Sequence, residues 1–95
     1  MKQRRIKKGN KMTNIEVLCD MGYEDAAIFR NPDYDEAIVG VTPDGNVIYD
    51  FDLMVHHLIK YDGMTEMDAV EFIDQDVMRV IPYMGEYPPI IIYTI

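Results

Sequence analysis

The adjacent His56 and His57 are the residues of this 95-residue chain best suited by type to acid–base or metal chemistry. Neighbours on a helix point about 100° apart, so the two cannot converge on one ligand and at most one of them faces inward. A zinc site needs further His or Cys at close spacing, and the single cysteine, Cys19, lies far upstream. Cys19 sits on a short helical stretch and reads as a buried thiol that fills the core rather than as a nucleophile. Carboxylates gather at Asp33, Asp35 and Glu36 and again at Asp50 and Asp52. Neither group has the alternating acids, central glycine and terminal glutamate of a calcium loop, so a turn, a cap and solvated charge are expected there. The chain has no glycine-rich phosphate loop, Gly-x-Ser-x-Gly elbow or Walker signature. The expectation is a protein that is not an enzyme, with no catalytic residue, no metal and no cofactor.

Charge and aromatic surface offer more. Asp68, Glu71 and Asp74 recur at every third position, and on a helix each such step is about 4.5 Å along the axis. That is comparable in scale with the ~3.4 Å rise per nucleotide of one DNA strand, so an acidic ridge of this kind can stand in for phosphates. The competing reading is an ordinary solvated helix face. Asp33, Asp35 and Glu36 would extend the acidic surface. Tyr83, Met84 and Tyr87 lie close together in a chain with seven tyrosines and eight methionines. They suit an adaptable apolar and aromatic binding surface, or equally the completion of a small core.

The charge itself is divided. Residues 1–12 contain Lys2, Arg4, Arg5, Lys7, Lys8 and Lys11 and no acid, whereas the rest contains Arg30, Lys60 and Arg79 against all 17 acidic side chains, a formal charge of −14. Gly9 and Asn10 break any helix in the basic stretch, so residues 1–12 are expected to form a flexible arm. In that arm Lys2, Arg4, Arg5, Lys7 and Lys8 are placed to contact nucleic-acid phosphates.

These residues need a scaffold. Thr13 or Asn14 can cap a short helix in which Ile15, Leu18 and Cys19 share a face, and Gly22 stops it. Residues 26–29 are expected to be a loop or short edge strand, closed by Asn31-Pro32. The β-branched stretches on either side of Thr42-Pro43-Asp44-Gly45 predict a β-hairpin over residues 37–49. Asp50 can cap a helix over 51–61 with Met54, Val55, Leu58 and Ile59 as its apolar stripe and Gly63 as its stop. Thr65 opens a second long helix, with Met67, Val70, Ile73 and Val77 as a stripe joined by Ala69 and Phe72. Proline at 82, 88 and 89 ends helical structure, and residues 90–95 predict a strand that pairs with the hairpin. The fold class expected is α+β: a small antiparallel or mixed sheet, the hairpin plus the C-terminal strand, packed against about three helices.

Length and composition agree with one acidic domain over residues 13–95, since 95 residues with 48% apolar content can fill one core and not two. The longest apolar runs fall far short of the roughly 20 residues of a membrane span. No apolar stretch of signal-peptide length follows the basic start, so a cytoplasmic location is expected.

Ala37-Ile38-Val39-Gly40-Val41, Pro43-Asp44-Gly45-Asn46-Val47-Ile48-Tyr49, Asp62-Gly63-Met64-Thr65, Asp68-Ala69-Val70-Glu71-Phe72-Ile73, Arg79-Val80-Ile81-Pro82-Tyr83 and Pro89-Ile90-Ile91-Ile92-Tyr93 form a recognisable series. In these segments the chain resembles a group of small uncharacterised proteins carried by phages and prophages of Firmicutes and related bacteria. The resemblance covers about residues 20–95 and leaves out the basic arm. The group usually has an aromatic residue and an asparagine where this chain has Gln75-Asp76. The resemblance implies a genetic setting and transfers no catalytic residue. Small acidic phage proteins are frequently inhibitors of host defence, including anti-CRISPR proteins, which bind an effector nuclease or occupy its nucleic-acid groove.

The leading expectation is therefore a phage or prophage accessory protein that binds a host or phage protein, most concretely a basic defence nuclease, through its acidic surface. One alternative is a nucleic-acid-binding phage regulator that uses the basic arm. Another is a small enzyme or ligand-sequestering protein with a pocket between helices and sheet. An edge position for residues 90–95 would also allow pairing with a second copy.

Overall fold

Thr13 opens the first helix, α1 (Asn14–Asp20), in the computed structural model, which describes residues 12–95. Its hydroxyl accepts the Glu16 N–H at 3.1 Å, while the Glu16 carboxylate accepts the Thr13 N–H at 3.0 Å, a reciprocal cap. Gly22, at φ 95°, closes the helix, and the next N–H, from Tyr23, returns to the Leu18 carbonyl. Of the helix residues only Leu18 is buried. Cys19, expected to be a buried thiol, is exposed: it lies about 100° round the helix from Leu18, and so short a helix packs along one line only.

The hairpin forms as expected from β1 (Ile38–Val41) and β2 (Val47–Asp50), antiparallel and with a register shift between Ile38 and Gly40. Its turn is closed by Thr42 N–H to the Asn46 carbonyl and Gly45 N–H to the Thr42 carbonyl, both at 2.9 Å. Gly45 sits at φ 101°, a conformation strained for any other residue.

Asp50 then caps α2 (Phe51–Asp62), its carboxylate accepting the Leu53 N–H at 3.1 Å, and Gly63 ends the helix in the left-handed conformation. Met54, Val55 and Leu58 are buried, but Ile59, expected in the same stripe, is 39% exposed at the flank of the packed face. Thr65 caps α3 (Glu66–Phe72) through the Asp68 N–H. The helix runs on through a π turn (Ile73–Val77), one α turn, α4 (Met78–Val80), and a 3₁₀ turn (Ile81–Tyr83). The buried line is Ala69, Ile73 and Val77, each four residues from the last, with Val70 and Phe72 beside it. Met67 was expected on this stripe and is 72% exposed. It stands two residues from Ala69, about 200° round the helix.

The C-terminal strand, β3 (Ile90–Ile92), pairs with β2 in parallel, so the sheet is mixed, in the order β1-β2-β3. A parallel neighbour requires a long crossover, which α2, α3 and the following turns supply. Six strand residues were expected and three form. Ile92 lies opposite Asp50, the last residue of β2, where that chain turns away into α2, so residues 93–95 have no strand to pair with.

The core lies between the sheet and α2 and α3, filled by Tyr34, Tyr49, Val47, Met54, Leu58 and Ile73. Residues 26–29 form no strand; Phe29 instead drops into the core beside Tyr49 and Tyr34, with ring centroids 4.7 and 5.9 Å away. The fold is the small α+β arrangement expected. Residues 1–11 of the expected basic arm, with Lys2, Arg4, Arg5, Lys7 and Lys8, lie outside the described residues.

Candidate functional site

Three groups of side chains were singled out in the sequence, and each has a distinct geometry. On α3, Asp68 and Glu71 are exposed, as is Asp74 in the π turn, because the Ala69-Ile73-Val77 line faces the core. Each three-residue step falls about 60° short of a full turn, so Asp74 stands about 120° round the helix from Asp68, whereas positions three, four, seven and eight later share its face. The shallow hollow along this face, about 560 Å³, is accordingly lined by Asp68, Glu71, Gln75 and Asp76 together with Met64 and Phe72. Asp74 is not part of its wall and Asp76 is. Counting in threes passes over Asp76, which stands eight residues from Asp68, about 80° round the helix, and so shares its face.

Asp33, Asp35 and Glu36 have mostly structural partners. The Asp35 carboxylate accepts the N–H groups of Asn14 at 3.0 Å and Ile15 at 2.8 Å, the first donors of α1. The Asn14 amide returns to the Asp35 carbonyl at 2.8 Å and the Ile38 carbonyl at 3.2 Å. Asp33 accepts the Asp35 N–H, and Glu36 accepts from the Tyr61 hydroxyl at 3.4 Å. Asp33 and Glu36 keep exposed carboxylates beside this staple, while Asp35 is half-buried.

Tyr83, Met84 and Tyr87 do not form one patch. Tyr83 projects 87% exposed, whereas Met84 and Tyr87 help to line a groove of about 300 Å³. Glu86 lies between them, and the other walls come from distant segments: Tyr23 and Asp25 after α1 and Asp44 in the hairpin turn. Two of these segments are fastened to each other: the Asn46 amide of the hairpin turn donates to the Pro88 carbonyl at 2.9 Å. Tyr23, Asp25 and Asp44 were not singled out in the sequence, since nothing local to them signals that they meet.

The two histidines diverge as expected. His56 is exposed, and His57 is half-buried between Tyr34 and Tyr61, with ring centroids 5.3 and 4.8 Å away. The His57 Nδ1 and the Tyr34 hydroxyl are both buried without a hydrogen-bond partner among the described residues. Burial pushes the Tyr34 hydroxyl up to about 12, with Asp62 and Asp76 adding to the effect. Burial does the same for Tyr49, also to about 12, against the opposing hydrogen bond from the Phe29 N–H. Among the described residues no three His, Cys, Asp or Glu side chains stand close enough to hold a metal ion. None of the described helices is long and apolar enough to cross a membrane.

Comparison with protein-family models, with curated proteins and with solved structures finds no match to this chain.

Proposed function

We propose that this chain is a non-enzymatic accessory protein of a phage or prophage that acts in the bacterial cytoplasm by binding a basic protein, most concretely a host defence nuclease of the kind anti-CRISPR proteins inhibit. One observation carries the reading. Residues 61–78 hold six acids and no Lys, Arg or His, and five of those acids, Glu66, Asp68, Glu71, Asp74 and Asp76, are exposed along α3 and its π turn. A run of carboxylates with no internal counter-charge projects a field that speeds encounter with a basic channel and weakens with salt.

Capture from bacterial lysate at low and high salt, with the retained proteins identified by mass spectrometry, tests the proposal. The wild-type chain is expected to retain a basic nucleic-acid-handling protein that is lost at high salt. The triple variant Asp68→Lys, Glu71→Lys, Asp74→Lys should retain at least tenfold less of it. Equal retention by the triple variant would remove the acidic face from the mechanism. The six basic residues within 1–12 favour a second reading, a regulator that grips nucleic acid with its arm. Deleting residues 1–11 separates the two: nucleic-acid retention collapses under the arm reading, and protein retention persists under the acidic one.

A further inference from the structure

The groove between the C-terminal end of α1, the hairpin turn and the loop before β3 is smaller than the hollow along α3, about 300 against about 560 Å³, and is built from three segments of chain. Its walls are Tyr23, Met84 and Tyr87, and its carboxylates, Asp25, Asp44 and Glu86, come from three separate segments of chain. Among the described residues no Lys, Arg or His lines it. At about 300 Å³ it sits at the lower end of the volumes that hold small guests, and so suits one side chain better than a cofactor. We propose that this groove receives a single cationic side chain, an arginine or lysine presented by the partner protein.

The chemistry follows from the two kinds of wall. A guanidinium or ammonium group is drawn to carboxylates and to the faces of aromatic rings, and these attractions strengthen where water is partly excluded. The alkyl stem of the same side chain is apolar and lies well against tyrosine and methionine. An anion meets three negative charges here, and a neutral polar guest gains neither the ionic nor the ring-face attraction. The hydrogen bond from the Asn46 amide to the Pro88 carbonyl ties the hairpin turn to the loop before β3 before a guest arrives, which limits the ordering cost of binding. This inference rests on the proposed binding of a basic protein: the α3 face would steer such a partner over distance, and the groove would anchor it.

The test titrates the ¹⁵N-labelled full chain with Nα-acetyl-arginine amide, Nα-acetyl-lysine amide and the neutral isostere Nα-acetyl-citrulline amide at constant ionic strength. The amides of Gly22, Gly45 and Gly85, all in the groove lining, are expected to shift saturably with the two cations. Half-saturation should fall near about 1 mM, as suits a guest of this size. Citrulline should bind at least about tenfold more weakly, since it lacks the charge. Tyr87→Ala should weaken arginine binding about fivefold, and Asp44→Asn about threefold, each without moving the urea midpoint. The triple lysine variant of α3 should keep the response at the three glycines. Equal shifts with arginine and citrulline, or non-saturating shifts spread evenly over α3 and the groove, would overturn the groove as a cation receptor. A chain that captures a basic partner through α3 and yet shows no saturable response at the glycines loses this inference alone. A saturable response in a chain that captures no basic protein instead overturns the binding-protein reading and leaves the cation selectivity of the groove in place.

Discussion

Tyr49 and Tyr34 are both shut off from solvent, at 0% and 1% exposed, yet among the described residues only the Tyr49 hydroxyl has a partner, the Phe29 N–H at 3.2 Å. The consequence of removing each hydroxyl therefore differs in sign. Tyr49→Phe strands a buried backbone donor and should cost about 1–2 kcal/mol, whereas Tyr34→Phe removes an unpaired polar atom and should be neutral or stabilising by up to about 1 kcal/mol. Urea midpoints of the two variants check this. The same burial holds both hydroxyls up to about 12, from an ordinary value of 10.0. Above about pH 10 the unfolded chain gives up protons that the folded chain keeps. The stability these groups carry is thus fully present below about pH 10 and is lost as the pH rises towards 12. Tyr34→Phe should flatten that alkaline decline, which urea unfolding at a series of pH values measures.

At the scale of elements, α1 is the piece with least support of its own. Seven residues are too few for a helix to persist in water without tertiary contacts. Its anchor is the Asp35 carboxylate on the N–H groups of Asn14 and Ile15, together with the buried Leu18. Asp35→Ala should cost about 1–2 kcal/mol, the size of a lost charge-assisted cap. The loss should be local: amide exchange should accelerate in α1 and leave α2 unchanged, since α2 has its own cap at Asp50 and its own buried face. Uniform acceleration across both helices would contradict this division. Sequence reasoning reached the caps here and missed the staple. Thr13 and Glu16 are three residues apart, while Asp35 reaches back 21 positions to Asn14.

For the molecule as a whole, an acidic excess of 14 charges on residues 13–95 repels itself. Screening should therefore raise the urea midpoint as NaCl increases to about 0.5 M, where the Debye length falls to roughly 4 Å. Partner capture should fall over the same range, because there the opposite charges attract. Two salt responses of opposite sign in one protein separate self-repulsion from recognition. A midpoint that does not change with salt would mean that like-charge repulsion adds little to the stability of this fold.

Local order was readable before the fold was known. The caps at Thr13, Asp50 and Thr65, the stops at Gly22 and Gly63 and the hairpin turn at Gly45 each depend on residues within a few positions of one another. Side-chain chemistry and backbone freedom settle such features without distant partners. The α+β class followed from the spacing of apolar residues, and the charge division from composition alone. Only the tertiary structure decided that β3 runs parallel to β2 and stops at Ile92 and that Cys19 and Met67 face solvent. It alone brought Tyr23, Asp44 and Tyr87 to one groove. Each of these depends on which distant segment lies alongside, and that is set by packing around the shared core, which no local stretch of sequence encodes.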